Sequence, residues 1–86
     1  MIRVEFYGIA RARAGVAQVD IEAATLGAAV NLLGQKFPDL ASECFQGQQL
    51  RSGYLANING QQFTTDASHQ LLDGDNLLIL SADAGG

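Results

Sequence analysis

One cysteine, one proline, one histidine and no tryptophan occur in the 86 residues, and each shortage closes a route. A lone Cys44 forms no internal disulfide. With a single histidine, His69, beside it, no metal site of the usual nitrogen and sulfur kind is available. Basic side chains are also few: five Lys and Arg stand against nine Asp and Glu, for a net charge of −4 and a pI near 4.5. That balance argues against the phosphate backbone of nucleic acids, which needs a basic face, and against anionic lipid surfaces. Long apolar runs are missing as well. The opening "MIRVEFYGIARARAG" lacks the apolar stretch of a secretory signal, and no run approaches the roughly eighteen residues of a membrane span. A cytoplasmic protein that contacts neither nucleic acid nor membrane is the expectation. There is no phosphate-binding loop, so any ATP used with this chain must be handled by another protein.

What is present is the composition of one small globular domain, with 48% hydrophobic and 16% charged residues. A chain this short buries a modest share of its surface, so its core has little stability to spare. "IRVEFY" alternates, with Ile2, Val4 and Phe6 on one face, which is the pattern of a half-buried strand. "AQVDIE" alternates again through Val19 and Ile21. Between them "GIARARAG", bracketed by Gly8 and Gly15, reads as the loop of an antiparallel hairpin. Thr25 is an N-cap candidate for a helix reaching Phe37, with Leu26, Ala29, Val30, Leu33 and Phe37 along one stripe. Pro38 disfavours helical geometry at Phe37 and stops it.

From Asp39 to Ser52 the pattern is poor. "DLASECF" suits a short second helix burying Leu40, Cys44 and Phe45, and "QGQQLRSG" reads as loop. "YLANINGQQF" carries Tyr54, Ala56 and Ile58 into Asn59-Gly60, a strong hairpin signal. "LLDGDNLLIL" turns at Asp73-Gly74-Asp75 into a last strand, with Leu77 and Ile79 on one face and Leu78 and Leu80 on the other. Its nearly continuous apolar run suits a central strand lying parallel to the first. The expected fold is α+β: a mixed sheet of four to five strands with one main helix on one face. Residues 1–81 form the domain and 82–86 a flexible tail.

Most polar residues have plain structural readings. Cys44 reads as a small buried hydrophobe, and His69 as an exposed turn residue without an acid–base partner. Asp73 and Asp75 around a glycine mean a turn before they mean a metal, and Ser68 and Ser81 have no triad context. Leu78 and Leu80 are different. They alternate away from the core face, so Leu80 should add to an exposed apolar patch, and such patches mark interfaces.

The order of "MIRVEFYGIARARAG", "INGQQF", "LLDGDNLLIL" and a terminal Gly-Gly resembles the ubiquitin-like β-grasp sulfur carriers. Within them it is most similar to the small subunit of molybdopterin synthase, with the thiamine-pathway sulfur carrier as a shorter relative. The resemblance implies a β-grasp fold and a protein without a catalytic constellation of its own. It also implies that the Gly86 carboxylate is adenylated by an E1-like adenylating enzyme, converted to a thiocarboxylate, and presented to the large subunit of molybdopterin synthase or an equivalent sulfur acceptor. No bound cofactor or metal is implied; ATP belongs to the activating enzyme. Gly85 would let the tail pass a narrow channel, because glycine allows close backbone approach. Extended, 82–86 would reach about 15–18 Å beyond the strand.

Arg11 falls where the family often has an arginine after its first strand, and Leu80 on an apolar position of the partner surface. Ala12 departs from the acidic residue that commonly follows, and "SAD" from a proline-rich approach to the terminus. Three readings stay open on the sequence: a sulfur carrier for molybdopterin, thiamine or another metabolite; a ubiquitin-like modifier joined to lysines through Gly86; and an interaction module whose tail is incidental.

Overall fold

The computed structural model describes residues 1–82. Ten elements follow in order: β1 (Ile2–Phe6), α1 (Gly8–Ala14), β2 (Gln18–Ile21), α2 (Leu26–Lys36), α3 (Pro38–Cys44), β3 (Phe45–Gln46), β4 (Gln49–Leu50), β5 (Tyr54–Ile58), β6 (Gln62–Thr64) and β7 (Asn76–Ser81). Five strands make one sheet in the order β2-β1-β7-β5-β6, and β3 and β4 pair as a separate ribbon. Strand β7 is central. It runs parallel to β1, with Val4 opposite Leu77 and Phe6 opposite Ile79, and antiparallel to β5. Flanking on both edges is what its apolar run predicted.

The core lies between the sheet and α2. Leu26, Ala29, Val30 and Leu33 are buried against Val4, Phe6, Ile21, Ile58, Leu77 and Ile79, as the two periodicities require. Two residues expected in that core are only half-buried. Val19 sits on an edge strand, and Phe37 lies just past the last helical residue, its ring edge-on to Phe6 at 5.8 Å.

The start of α2 is closed on three sides. The Ala28 amide donates to Thr25 Oγ1 at 3.1 Å, the Leu26 amide to the His69 carbonyl at 2.9 Å, and the Gly27 amide to the Ala67 carbonyl at 2.8 Å. These bonds satisfy helix-end donors that otherwise have no partner. They also tie the 66–70 loop to the helix. The loop comes so close that only glycine fits comfortably at position 27, where a Cβ would stand 3.1 Å from the Ala67 carbonyl oxygen.

Two segments read as loops are ordered differently. "GIARARA" is helix α1. Alanine and arginine are good helix formers, Ala10 is fully buried, and Gly15 closes the last turn at φ 79° with its amide bonded to the Arg11 carbonyl. Within "QGQQLRSG", β3 and β4 form a minimal hairpin around Gly47, at φ 63°. The turn signals hold. Asn59 and Gly60 both have positive φ, as a two-residue hairpin of matching twist needs. The Asn59 side chain then reaches the next turn: its Nδ2 donates to Asp75 Oδ1 at 2.9 Å and its Oδ1 accepts from the Asn76 amide at 2.8 Å.

Candidate functional site

The end of β7 is where the chain leaves the sheet, and its surroundings are set by the register. The Tyr7 amide donates to the Ile79 carbonyl at 3.3 Å, Tyr54 lies opposite Ser81, and the Ala82 amide donates to the Gly53 carbonyl at 2.7 Å. The exit therefore sits between the start of α1 and the turn that opens β5. Gly85 and Gly86, the residues expected to carry the chemistry, lie outside the described residues.

Leu78 and Leu80 face away from the fully buried Leu77 and Ile79, and both are half-buried. Across the sheet Leu80 stands opposite Leu55, and Leu78 stands between Glu5 and Asn57. Phe63 follows Asn57 on the outer strand and is 61% exposed. The outward face thus carries four apolar side chains: Leu55, Phe63, Leu78 and Leu80. Leu55 was available to sequence reasoning, since Ala56 and Ile58 point inward and their neighbour must point out. Phe63 was not, because a three-residue edge strand has too little length to declare a phase.

Arg11 is elsewhere. It projects from α1, a helix packed beside β7 and α3 in the helical layer, so the structure does not join it to Leu78 and Leu80. With Gly8, Ala12, Gly15, Val16 and Ala17 it lines a shallow recess of about 460 Å³. Among the described residues its guanidinium is the one arginine head without a partner. Arg3 meets Asp20 and Arg13 meets Glu43, each at 3.3 Å, while Arg51 donates to the Phe45 carbonyl at 3.1 Å.

A small polar group lies behind the exit. The Tyr54 hydroxyl donates to Glu43 Oε2 at 2.7 Å, and that bond to a carboxylate, with burial, pushes the phenol upward. Burial pushes the Cys44 thiol up to about 11, partly offset by a hydrogen bond with Tyr54. A fully buried thiol held protonated is a packing group, not a nucleophile. His69, read as exposed, is half-buried: its amide donates to the Asp66 carbonyl and its own carbonyl accepts from α2. Among the described residues no group of three His, Cys, Asp or Glu side chains could hold a metal ion, and no helix is long and apolar enough to cross a membrane.

At the far end of the sheet the charge is acidic. The Met1 ammonium pairs with Asp73 and with Glu22, and Asp75 accepts from the Leu72 amide at 2.8 Å. That bond, followed by the one from Asn59, holds the Asp75 carboxyl below its usual range.

The sequence model of the ThiS family matches residues 4–86. The chain belongs to the ThiS family of ubiquitin-like β-grasp sulfur carriers, whose members work with E1-like activating enzymes and sulfur-acceptor partners. No curated protein matches it. Among solved structures it is similar to a chain of the BexX/CysO complex of Amycolatopsis orientalis, at 21% identity over 100% of both chains with a TM-score of 0.81. It is also similar to SAMP1 from Haloferax volcanii, at 24% identity over 99% of this chain and 98% of that one, with a TM-score of 0.79. A putative molybdopterin converting factor subunit 1 from Pyrococcus furiosus follows at 19% identity, covering 93% and 94%, with a TM-score of 0.75. At these identities the likeness establishes the β-grasp fold.

Proposed function

We propose that this protein is the sulfur-carrying small subunit of a molybdopterin synthase, without catalytic groups or a bound cofactor of its own, and with Gly86 as its working terminus. The observation that carries the sulfur-carrier part of this reading is the extent of the family match, which runs to residue 86 and so includes Gly85-Gly86. The central position of β7 supports it. A strand bonded on both sides gives the tail a rigid base from which to enter a partner's pocket.

The chemistry is activation of a carboxylate. An E1-like adenylating enzyme transfers AMP from ATP to a Gly86 carboxylate oxygen, releasing pyrophosphate. A sulfur donor attacks the acyl carbon and AMP departs with the oxygen. Where the donor is a persulfide, the product is an acyl disulfide, and a thiol reductant frees the thiocarboxylate. Its sulfur then attacks an electrophilic carbon of a pterin precursor in the large subunit. Gly85 keeps the approach narrow, and Leu78, Leu80 and Arg11 are the proposed partner contacts, on two different sides of the exit.

The test is ATP-dependent acyl-adenylate formation with the purified activating enzyme, followed by intact mass of protein isolated from cells. The expected mass is that of a chain ending at Gly86 with one oxygen replaced by sulfur. Deleting Gly86, or substituting Gly85→Val, should abolish adenylation without lowering thermal stability. A Gly-Gly remnant on target lysines would replace the carrier reading with a modifier reading, and undiminished adenylation after deletion would refute both.

A further inference from the structure

The outer face of the sheet holds one residue that its neighbours do not explain. Asn57 is 6% exposed, and its Oδ1 is buried without any hydrogen-bond partner. Buried polar atoms in folded proteins are nearly always paired, so a single orphan asks for a reason. Its position is central. The register gives one row across the face, Gln18, Glu5, Leu78, Asn57 and Phe63, from edge to edge. Leu55 and Leu80 stand on the same face two residues along β5 and β7. The helices lie against the opposite face, so the amide is hidden by its cross-strand neighbours, not by a packed layer.

An apolar side chain at this position would cost nothing in hydrogen bonding and would extend the patch without interruption. Asparagine closes it with one acceptor that has Leu55, Phe63, Leu78 and Leu80 on one side and the polar Asn76, two residues before Leu78 on β7, on the other. We propose that Asn57 is a docking and specificity residue: the activating enzyme meets this face with a neutral N–H or O–H donor, which Asn57 Oδ1 accepts at the border of the apolar patch. This rests on the proposed function, since it names the partner of that same carrier. A neutral donor fits better than a cation, because an ammonium or guanidinium would lose its hydration against the leucines and gain no carboxylate. Glu5, the acid in the same row, is already engaged by Asn76 Nδ2 at 3.0 Å. The terminal torsion of asparagine is broad, so the amide can turn its oxygen to an incoming donor without distorting the strand.

The arrangement makes free and bound protein respond in opposite ways. Replacing Asn57 with leucine removes an unpaired acceptor, which leaves the isolated domain as stable or makes it more so. The same change strands the partner's donor in an apolar contact. Steady-state adenylation of wild type and Asn57→Leu by the E1-like enzyme, with thermal unfolding of each carrier alone, reads both effects. The expected result is a KM for the carrier raised by about tenfold or more, an unchanged kcat, and a midpoint equal to or above wild type. An unchanged KM overturns the assignment, and so does a fall in stability that parallels the loss of activity, which would mark Asn57 as structural. Should Asn57→Leu not fold, Asn57→Ala is read in the same way. A concentration-dependent dimer abolished by the substitution would put a second copy on this face and also overturn it. Failure of wild type to be adenylated at all refutes the carrier reading, an outcome distinct from each of these.

Discussion

Two glycines in one helix should respond to the same substitution with opposite signs. Gly27 and Gly34 both lie in α2, and replacing a helical glycine by alanine ordinarily stabilises by up to about 1 kcal/mol, through backbone entropy in the unfolded chain. At Gly34 nothing opposes that gain. A Cβ would meet the Ala41 Cβ at 3.5 Å and Phe45 Cδ2 at 3.7 Å, which is ordinary contact and adds apolar burial against α3. At Gly27 the new atom would stand 3.1 Å from the Ala67 carbonyl oxygen, 3.2 Å from the Ala67 Cβ and 3.4 Å from the Gln48 carbonyl oxygen. The nearest obstacle is backbone, and it is the acceptor of the Gly27 amide itself. Relief requires the 66–70 loop to move outward, stretching the bonds that close the helix start. Losing one such bond from a buried donor costs about 1–3 kcal/mol, more than the propensity gain, which is smaller still in the first turn.

The expected outcome is destabilisation of about 1–2 kcal/mol for Gly27→Ala and stabilisation of up to about 1 kcal/mol for Gly34→Ala. In a domain of this size each kcal/mol moves the thermal midpoint by roughly 4–8 °C. Urea unfolding of the two variants beside wild type measures both, with an unchanged slope showing that stability changed without a change in the compactness of either state. If Gly27→Ala proves as stabilising as Gly34→Ala, the loop yields freely and the claim that it clamps α2 is wrong.

Other outcomes follow from the exit end and the far turn. Leu80→Asp should leave the midpoint of the isolated domain close to wild type, because the side chain is only half-buried, yet weaken binding to the activating enzyme about tenfold or more; calorimetric titration giving equal affinity would remove Leu80 from the interface. Asp75 has a folded pKa below its unfolded value, so its stabilisation is complete above the unfolded value of about 4 and is lost as pH falls through the lower, folded value. Asp75→Ala should therefore lower the midpoint at neutral pH and differ less from wild type as the pH falls below the unfolded value and through the lower, folded one; a gap that stays constant with pH would assign the loss to turn geometry alone.

The most legible parts of the chain were those where period and turn chemistry agree. Alternation placed β1, β2, β5 and β7 and their inward faces, Thr25 and Pro38 bounded α2, and Asn59-Gly60 fixed the β5–β6 register. From the site, outward Leu78 and Leu80 were legible because β7 is long enough to show a phase. Asn57 as an orphan was not, since a missing hydrogen bond exists only once the neighbours are assembled. Helix α1 failed for a related reason. Its seven residues, bracketed by glycine, carry one buried side chain, Ala10, and no N-cap bond from Tyr7, so local pattern offered little to read. A helix that short does not nucleate alone in water, which implies that packing beside β7 and α3 holds it. A peptide spanning 7–16 should show no helical circular dichroism in water, although the sequence is rich in helix formers. Ala10→Asp, which buries an unpaired carboxylate, should destabilise the whole domain by several kcal/mol, whereas Ala12→Asp, exposed on the same helix, should cost far less. Substantial helicity in the free peptide would mean that α1 is locally encoded, and that its sequence was misread, not silent.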